Sequence, residues 1–466
     1  MADDQIKHQL GDNDIETGRA TNHSAPQQGE IIMEKPSSAD DVFGGVNENG
    51  PNYRSVGWVG TIILMLKTQI GLGVLSIPAI FESVGMIPGI LLICAVAGIA
   101  TWTSYMVGVF KLRHHQVYGI DDAGGLMFGW VGLMIFVAGS AILGTSIGLN
   151  AVSTHGACTA VFVVVAAAIG FLLASIRTLN RIKWLAWVGL SCVVVSILIV
   201  AISVGLQDRP AAAPQDGPWL SDYKLIGDPT FAQGVSAVSS LIFACSATPI
   251  YFSIAAEMRE PRHFTRSLVI AQIVSTLIYA TIGIVVYYYC GSYVASPALG
   301  SAGPLIKKVA YGIALPGLMV TSTLFIHLSS KSIFVRVLRG SVHLTSNSLV
   351  HWGTWLSCTL GVTLIAYIIA SGIPFFNDLV SLIGAMLGSF LGYQPAGCMW
   401  FYDNWGRRGN RSRKWMAMAC WSGAVILTGC FITVAGTYAS ITGIISSIRA
   451  DGGSKPWACA DNSNSV

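Results

Sequence analysis

Runs such as GILLICAVAGIATWTSYMVGVF (89–110) and AVFVVVAAAIGFLLASI (160–176) recur along this chain between short polar punctuations. About 20 apolar residues carry a helix across a bilayer. A backbone in lipid must satisfy its own hydrogen bonds, which leaves helices or closed barrels. A barrel would show short alternating segments, and none stands out here. The chain therefore reads as an all-α polytopic membrane protein. Composition agrees: 53% of the 466 residues are hydrophobic and 11% are charged, against about a quarter charged in a soluble domain.

Eleven spans are predicted, at 58–80, 87–110, 131–153, 156–175, 184–206, 231–256, 267–290, 313–336, 353–370, 376–401 and 415–446, the last ending in a short extra helix. They form one domain over 56–446. Before it lies a polar segment, 1–55, with four basic and ten acidic residues, expected to be disordered and cytosolic. After it comes a short polar tail, 447–466. With the first residue placed in the cytosol, inside loops collect sixteen Lys and Arg and outside segments six. That asymmetry sets the N-terminus inside and the C-terminus outside. The sequons at Asn22 and Asn410 are then cytosolic, and a glycan on Asn410 would reverse the assignment. The basic set at 407–414 is expected to be a positive-inside anchor, with weak anionic-lipid binding as a second option, and His114 and His115 are expected in a solvated loop.

The first span contains KTQIGLGVLSIP (67–78), with a lysine, two glycines and a proline where an unbroken helix would be cheaper. Broken backbone at membrane depth is tolerated where it lines a cavity. Gly71 and Gly73 ease unwinding and Pro78 removes a donor; close helix packing by small residues is the plainer alternative. Span six, LIFACSATPIYFSIAAEM, repeats the pattern with Ala244, Cys245, Ser246 and Ala247 before Pro249. The two spans head two sets of five, and an odd number per set inverts the second. Interrupted helices at matching places in two halves point to a transporter site. Such a break gives amides near Gly73 and Val74 for an anion and bare carbonyls near Lys67–Ile70 for a cation. An amino acid zwitterion matches both, and apolar walls suit a neutral side chain.

Acidic residues lie at span ends, in loops or in tails, so no carboxylate relay crosses the membrane; Lys67 and His327 are the titratable residues at depth. Burial disfavours a charged side chain, which makes Lys67 a candidate proton carrier and built-in cation, with snorkelling to the inner surface as the structural alternative. His327 has an equally plain packing reading. Nine of ten cysteines sit within or at the edge of apolar runs, Cys158 among them, and only Cys459 lies clearly outside; all nine read as small packing residues. Metal spacing, a phosphate loop and a strand-borne nucleophile elbow are missing from the sequence, so neither an enzyme nor a cofactor is expected.

KTQIGLGVLSIP and AAEMREPRHFTRSL (255–268) resemble the first-helix signature and the hallmark after span six of the amino acid/auxin permease family, fungal neutral amino acid permeases of the N-system type in particular. The resemblance covers about 57–446. It implies a leucine-transporter fold, a 5+5 inverted repeat plus one helix, and secondary active transport of neutral amino acids driven by protons, with sodium as the second candidate. By position it implies substrate contacts from Ile70, Gly71, Leu72, Gly73 and Val74, opposite Ala244, Cys245 and Ser246. Ser322 and Phe325, with Thr145, Ser146 and Asn150, are pocket candidates by depth. Thr321 and Thr323 join Lys67 and His327 as coupling candidates, and Glu257 with Arg259 as an inner gate. Its partners are amino acids and lipids, not nucleic acid, and the fungal likeness favours the plasma membrane over the vacuolar one. A nutrient sensor on the same scaffold, a channel, and a sodium-coupled or vacuolar exporter are the rival readings; radiolabelled uptake separates transporter from sensor.

Overall fold

The computed structural model describes residues 56–114, 127–176, 179–210, 213–214, 216, 218–245, 247–344, 346–406, 412–450, 457 and 459–463. Segment 1–55, His115, Ser246 and residues 407–411 lie outside these.

Helices α1 (Trp58–Gln69) and α2 (Gly73–Val84) share the first apolar run, and α3 (Met86–Arg113), α4 (Met127–Ser153), α5 (Thr159–Ala174) and α6 (Leu179–Leu206) follow. The second half repeats the order with α7 (Phe231–Cys245) and α8 (Thr248–Ala256) in one run, then α9 (Phe264–Cys290), α10 (Pro304–Val337), α11 (Leu349–Gly372), and α12 (Phe376–Ile383) joined to α13 (Ser389–Asn404) by a π-helical turn. A final helix, α14 (Arg413–Ala450), runs unbroken, without the predicted extra piece. Nine segments among the described residues are long and apolar enough to span, α1–α2 forms one further bent pair, and α5, at 16 residues, is shorter. The fourth predicted span is thus a short apolar helix.

Packing contacts come in exchanged pairs, as two inverted copies require. The broken first run packs on α9, and the broken sixth run on α3. Likewise α4 packs on α11, and α10 on α5. The fifth span of each half lies against its own broken helix: α6 on α1, and α12 on α7. The third members, α4 and α10, meet each other along an extensive face. Helices α4, α7–α8 and α12–α13 are the most buried, while α14 is largely uncovered. Large apolar side chains stand out from the periphery, Leu91, Leu172, Leu427 and Val434 among them. A surface that rich in exposed apolar groups needs lipid around it.

One glycine closes the C-terminal end of α2. Gly85 has φ +91°, and a Cβ there would sit 2.3 Å from the Gly227 nitrogen. The reversal lets Gly227 N–H donate to Val84 O at 2.9 Å and Met86 N–H to Lys224 O at 3.0 Å, tying the loop after α6 to the α2–α3 corner. On the opposite face Val56 bridges to Met258, with Arg259 N–H donating to Val56 O at 2.9 Å. There α3 ends beside α13: Arg113 and His114 both meet the Asp403 carboxylate, at 2.9 and 2.8 Å. His114 is therefore held in an ion-pair cluster rather than left in a solvated loop.

Candidate functional site

Helix α1 stops at Gln69, Ile70–Leu72 leave the helical path, and α2 resumes at Gly73 with a 46° bend. The sixth run breaks after Cys245 and restarts at Thr248. The two breaks touch. A Cβ on Gly73 would lie 2.8 Å from Ala244 Cα and 3.0 Å from its Cβ, so only a glycine lets the strands of chain approach this closely. Carbonyls at the end of α7 are claimed by side chains: Tyr279 donates its hydroxyl to Ala244 O at 2.9 Å, and Gln69 Nε2 donates to Cys245 O at 3.3 Å.

Beside the breaks lies a cavity of about 30 Å³, bounded by Gln69, Leu72 and Gly73, by Phe243 and Ala247, by Val137 of α4 and by Thr321 and Phe325 of α10. That is room for about two waters, so an amino acid enters only if these walls part. The walls are mostly apolar. The polar elements are the Thr68, Gln69 and Thr321 side chains and the interrupted backbone, with the first amides of α2 lacking helical partners as at any helix start. A carboxylate suits those amides, and an ammonium suits the carbonyl end of α1.

Lys67 is fully buried and does not snorkel: its Nζ donates to Thr321 Oγ1 at 2.7 Å. The Thr321 hydroxyl donates onward to Gly317 O at 2.9 Å, leaving its lone pair to the lysine. Thr321 also sits 3.1 Å from where a Gly71 Cβ would be, so this contact joins the first break to α10. His327 lies elsewhere: its Nδ1 is 3.3 Å from Ala174 O and its ring packs on Trp355, pinning α10 to α5 and α11.

The C-terminal end of α8 differs from expectation. Glu257 is buried and pairs with Lys331 of α10, whereas Arg259 is exposed, turned out by the Val56–Met258 bridge. Losing one partner of a buried pair costs about 3–5 kcal/mol, while replacing both by apolar groups is often neutral. Lys331→Met is thus expected to lower thermal stability of the purified protein sharply, and Glu257→Leu added to it to restore most of the loss; equal destabilisation by the double variant would rule out the pair.

Of the other sequence candidates, Ile70 and Val74 are buried beside the break without bounding the cavity. Ser322 and Thr323 turn their hydroxyls back to Met319 O. On α4 the cavity is met by Leu133, Met134 and Val137, not by Thr145, Ser146 or Asn150, which lie farther along the helix. Sequence reasoning missed Gln69, Tyr251 and Gln272. Gln69 Nε2 reaches Tyr251 Oη and Gln272 Oε1, both at 3.0 Å, while Gln69 Oε1 and Gln272 Nε2 have no partner. A glutamine directly before a glycine break in an apolar run is the signal that would have found it. Cys158 is not a packing residue: it forms a disulfide with Cys459 across 301 residues, because the α4–α5 loop and the segment after α14 reach the same face.

The sequence profile described as "Transmembrane amino acid transporter protein" matches residues 54–442. The chain belongs to this family. It is similar to a "Transmembrane transporter" of Gibberella moniliformis, 32% identical over 434 residues and covering 90% of each chain. It is equally similar, at 32% identity, to the "N amino acid transport system protein" of Neurospora crassa, covering 92% of this chain and 96% of that one. In fold it resembles Mhp1, a nucleobase-cation-symport-1 family transporter solved in a closed conformation with bromovinylhydantoin bound, with a TM-score of 0.54 at 14% identity, covering 90% of this chain and 100% of that one. The transporter thus has a leucine-transporter-like architecture built from the two exchanged halves described above, and its family moves amino acids across membranes.

Proposed function

We propose that this transporter carries neutral amino acids by alternating access, coupled to a proton gradient. The contact of two broken helices at one apolar-walled cavity carries the reading. Its exposed peptide ends match the two charges common to all amino acids, and its walls offer no fixed charge for a charged side chain. Lys67 stands where a coupling cation would bridge the first break and α10, which favours protons over sodium. Leu72 at the first break packs 2.9 Å from a Gly144 Cβ position on α4, and the Glu257–Lys331 pair ties α10 to the end of α8; these are the two contacts we assign to the gates. Opening them in turn is the transport step.

Orientation has independent support. Disulfides persist in oxidising compartments, so the Cys158–Cys459 bond favours an extracytosolic face for the α4–α5 loop and the segment after α14. That is the side the Lys and Arg asymmetry assigns to them, and it fits a plasma-membrane importer.

The test is uptake of a radiolabelled amino acid panel into vesicles, with and without an imposed pH gradient. Neutral amino acids should accumulate only with the gradient. Accumulation driven equally by sodium without it would reject proton coupling, and no uptake of any amino acid would favour the sensor.

A further inference from the structure

A second cavity, of about 490 Å³, opens on the face that carries the disulfide. Its walls are Ile147 and Ala151 of α4, Lys307, Lys308 and Tyr311 of α10, the loop 294–304, and Asn462 and Ser463. The size is that of a small-molecule site. The helices are those that bound the central cavity. Val137 and Ile147 on α4, and Thr321 and Tyr311 on α10, are each ten residues apart, which places this cavity about 15 Å farther out along both helices. Leu315 of α10, at a level between the two cavities, lies 2.9 Å from a Gly148 Cβ position on α4.

The wall supplied by 459–463 is bound at several points. The disulfide holds Cys459 to the start of α5. Thr159 Oγ1 donates to Ala460 O at 2.6 Å, Asn150 Nδ2 donates to Asn462 Oδ1 at 2.7 Å, and Lys307 Nζ donates to Ser463 O. The segment is thus fastened to α4, α5 and α10 together. Its Asn462 turns a buried Nδ2 that has no partner. The lining holds two lysines and no carboxylate. Asp461 accepts from the Ser463 N–H and hydroxyl at 2.9 and 2.7 Å and lies within electrostatic reach of Lys307, so one acid stands against two lysines and Lys308 carries the excess positive charge.

We propose that this cavity is an outer binding site for a small carboxylate, with Lys308 and Asn462 Nδ2 as its donors and the disulfide-tethered segment as its wall. Its occupant is the carboxylate of the transported amino acid, held on the way to the central cavity; that clause rests on the function proposed above, while the anion site does not.

The experiment uses the full chain in oriented vesicles with an added reporter thiol, Ala295→Cys, in the cavity wall, its labelling read as the excess over the parent chain, whose Cys94, Cys398, Cys420 and Cys430 are also exposed. An anionic and a cationic methanethiosulfonate are applied from outside. The anionic reagent should react severalfold faster. Lys308→Gln should abolish that preference and Lys308→Arg should keep it. The double variant Cys158→Ser/Cys459→Ser, which frees the wall, should weaken it. Equal rates for the two reagents, or a preference indifferent to Lys308→Gln, overturns the site. An excess of an amino acid that the uptake panel accepts should slow labelling, and Lys308→Gln should raise its KM severalfold with kcat within twofold. A charge preference with no amino acid protection would leave an anion site and reject the amino acid as its occupant. Absent uptake with the preference intact would reject the transport reading alone.

Discussion

Gly73→Val abolishes uptake while the protein still reaches the membrane. The valine Cβ would enter within 2.8 Å of Ala244 Cα and 3.0 Å of its Cβ. These are main-chain and first-carbon atoms of the other broken helix, so no flexible side chain can swing aside. Tyr279 Oη, 3.2 Å away, is itself fixed on Ala244 O. Overpacking a filled site costs about 1–3 kcal/mol, sometimes more. Here the strain falls on the two breaks that form the cavity, so they separate and the peptide ends lose their common focus. Uptake should fall more than tenfold, measured against surface expression by biotinylation. Gly98→Ala is the control: a Cβ there meets nothing within 4 Å, and an alanine in a helix interior is favoured over glycine. Wild-type uptake by Gly73→Val at equal expression would mean that the breaks need not touch.

Much of this arrangement is legible in the sequence because breaking a helix in lipid is expensive, and the residues that make it cheaper are few. Glycines at 71 and 73 stand beside the place where α1 gives way to α2, and the small run 244–247 spans the gap between α7 and α8. What stayed hidden depends on partners distant in the chain. Glu257 has a nearby arginine in the sequence but finds Lys331, 74 residues on, because the bridge at Met258 turns Arg259 outward. Cys158 looks like any cysteine at the edge of an apolar run until the segment after α14 folds back to it. Ser322 and Thr323 have the right chemistry at the right depth, yet helical back-bonding to Met319 occupies them. Depth along a span is readable from hydropathy. The face a residue presents is not, when polar residues of α10 stand at consecutive positions such as 321–323 and so point in different directions round the helix.

Lys67→Ala removes the pH dependence of uptake. The ammonium is wholly enclosed, and it donates to a hydroxyl whose own proton is already given to Gly317 O. Such a site accepts a cation, and the lysine supplies it from within the chain. A protonated Lys67 holds the end of α1 to Thr321 of α10, and a neutral one holds it less firmly. In the proton-coupled cycle proposed above, proton release would loosen the first broken helix from the helix behind it and so let the cavity open to one side. Alanine takes away both the cation and the switch, leaving an uptake rate that is low and flat across external pH. Lys67→Arg separates the two roles: the guanidinium keeps a cation but does not lose its proton, so uptake should be low and equally flat. The checking measurement is initial uptake rate against external pH at matched surface expression. A Lys67→Ala profile that superimposes on the wild type after scaling would remove Lys67 from the coupling, whatever it did to the rate.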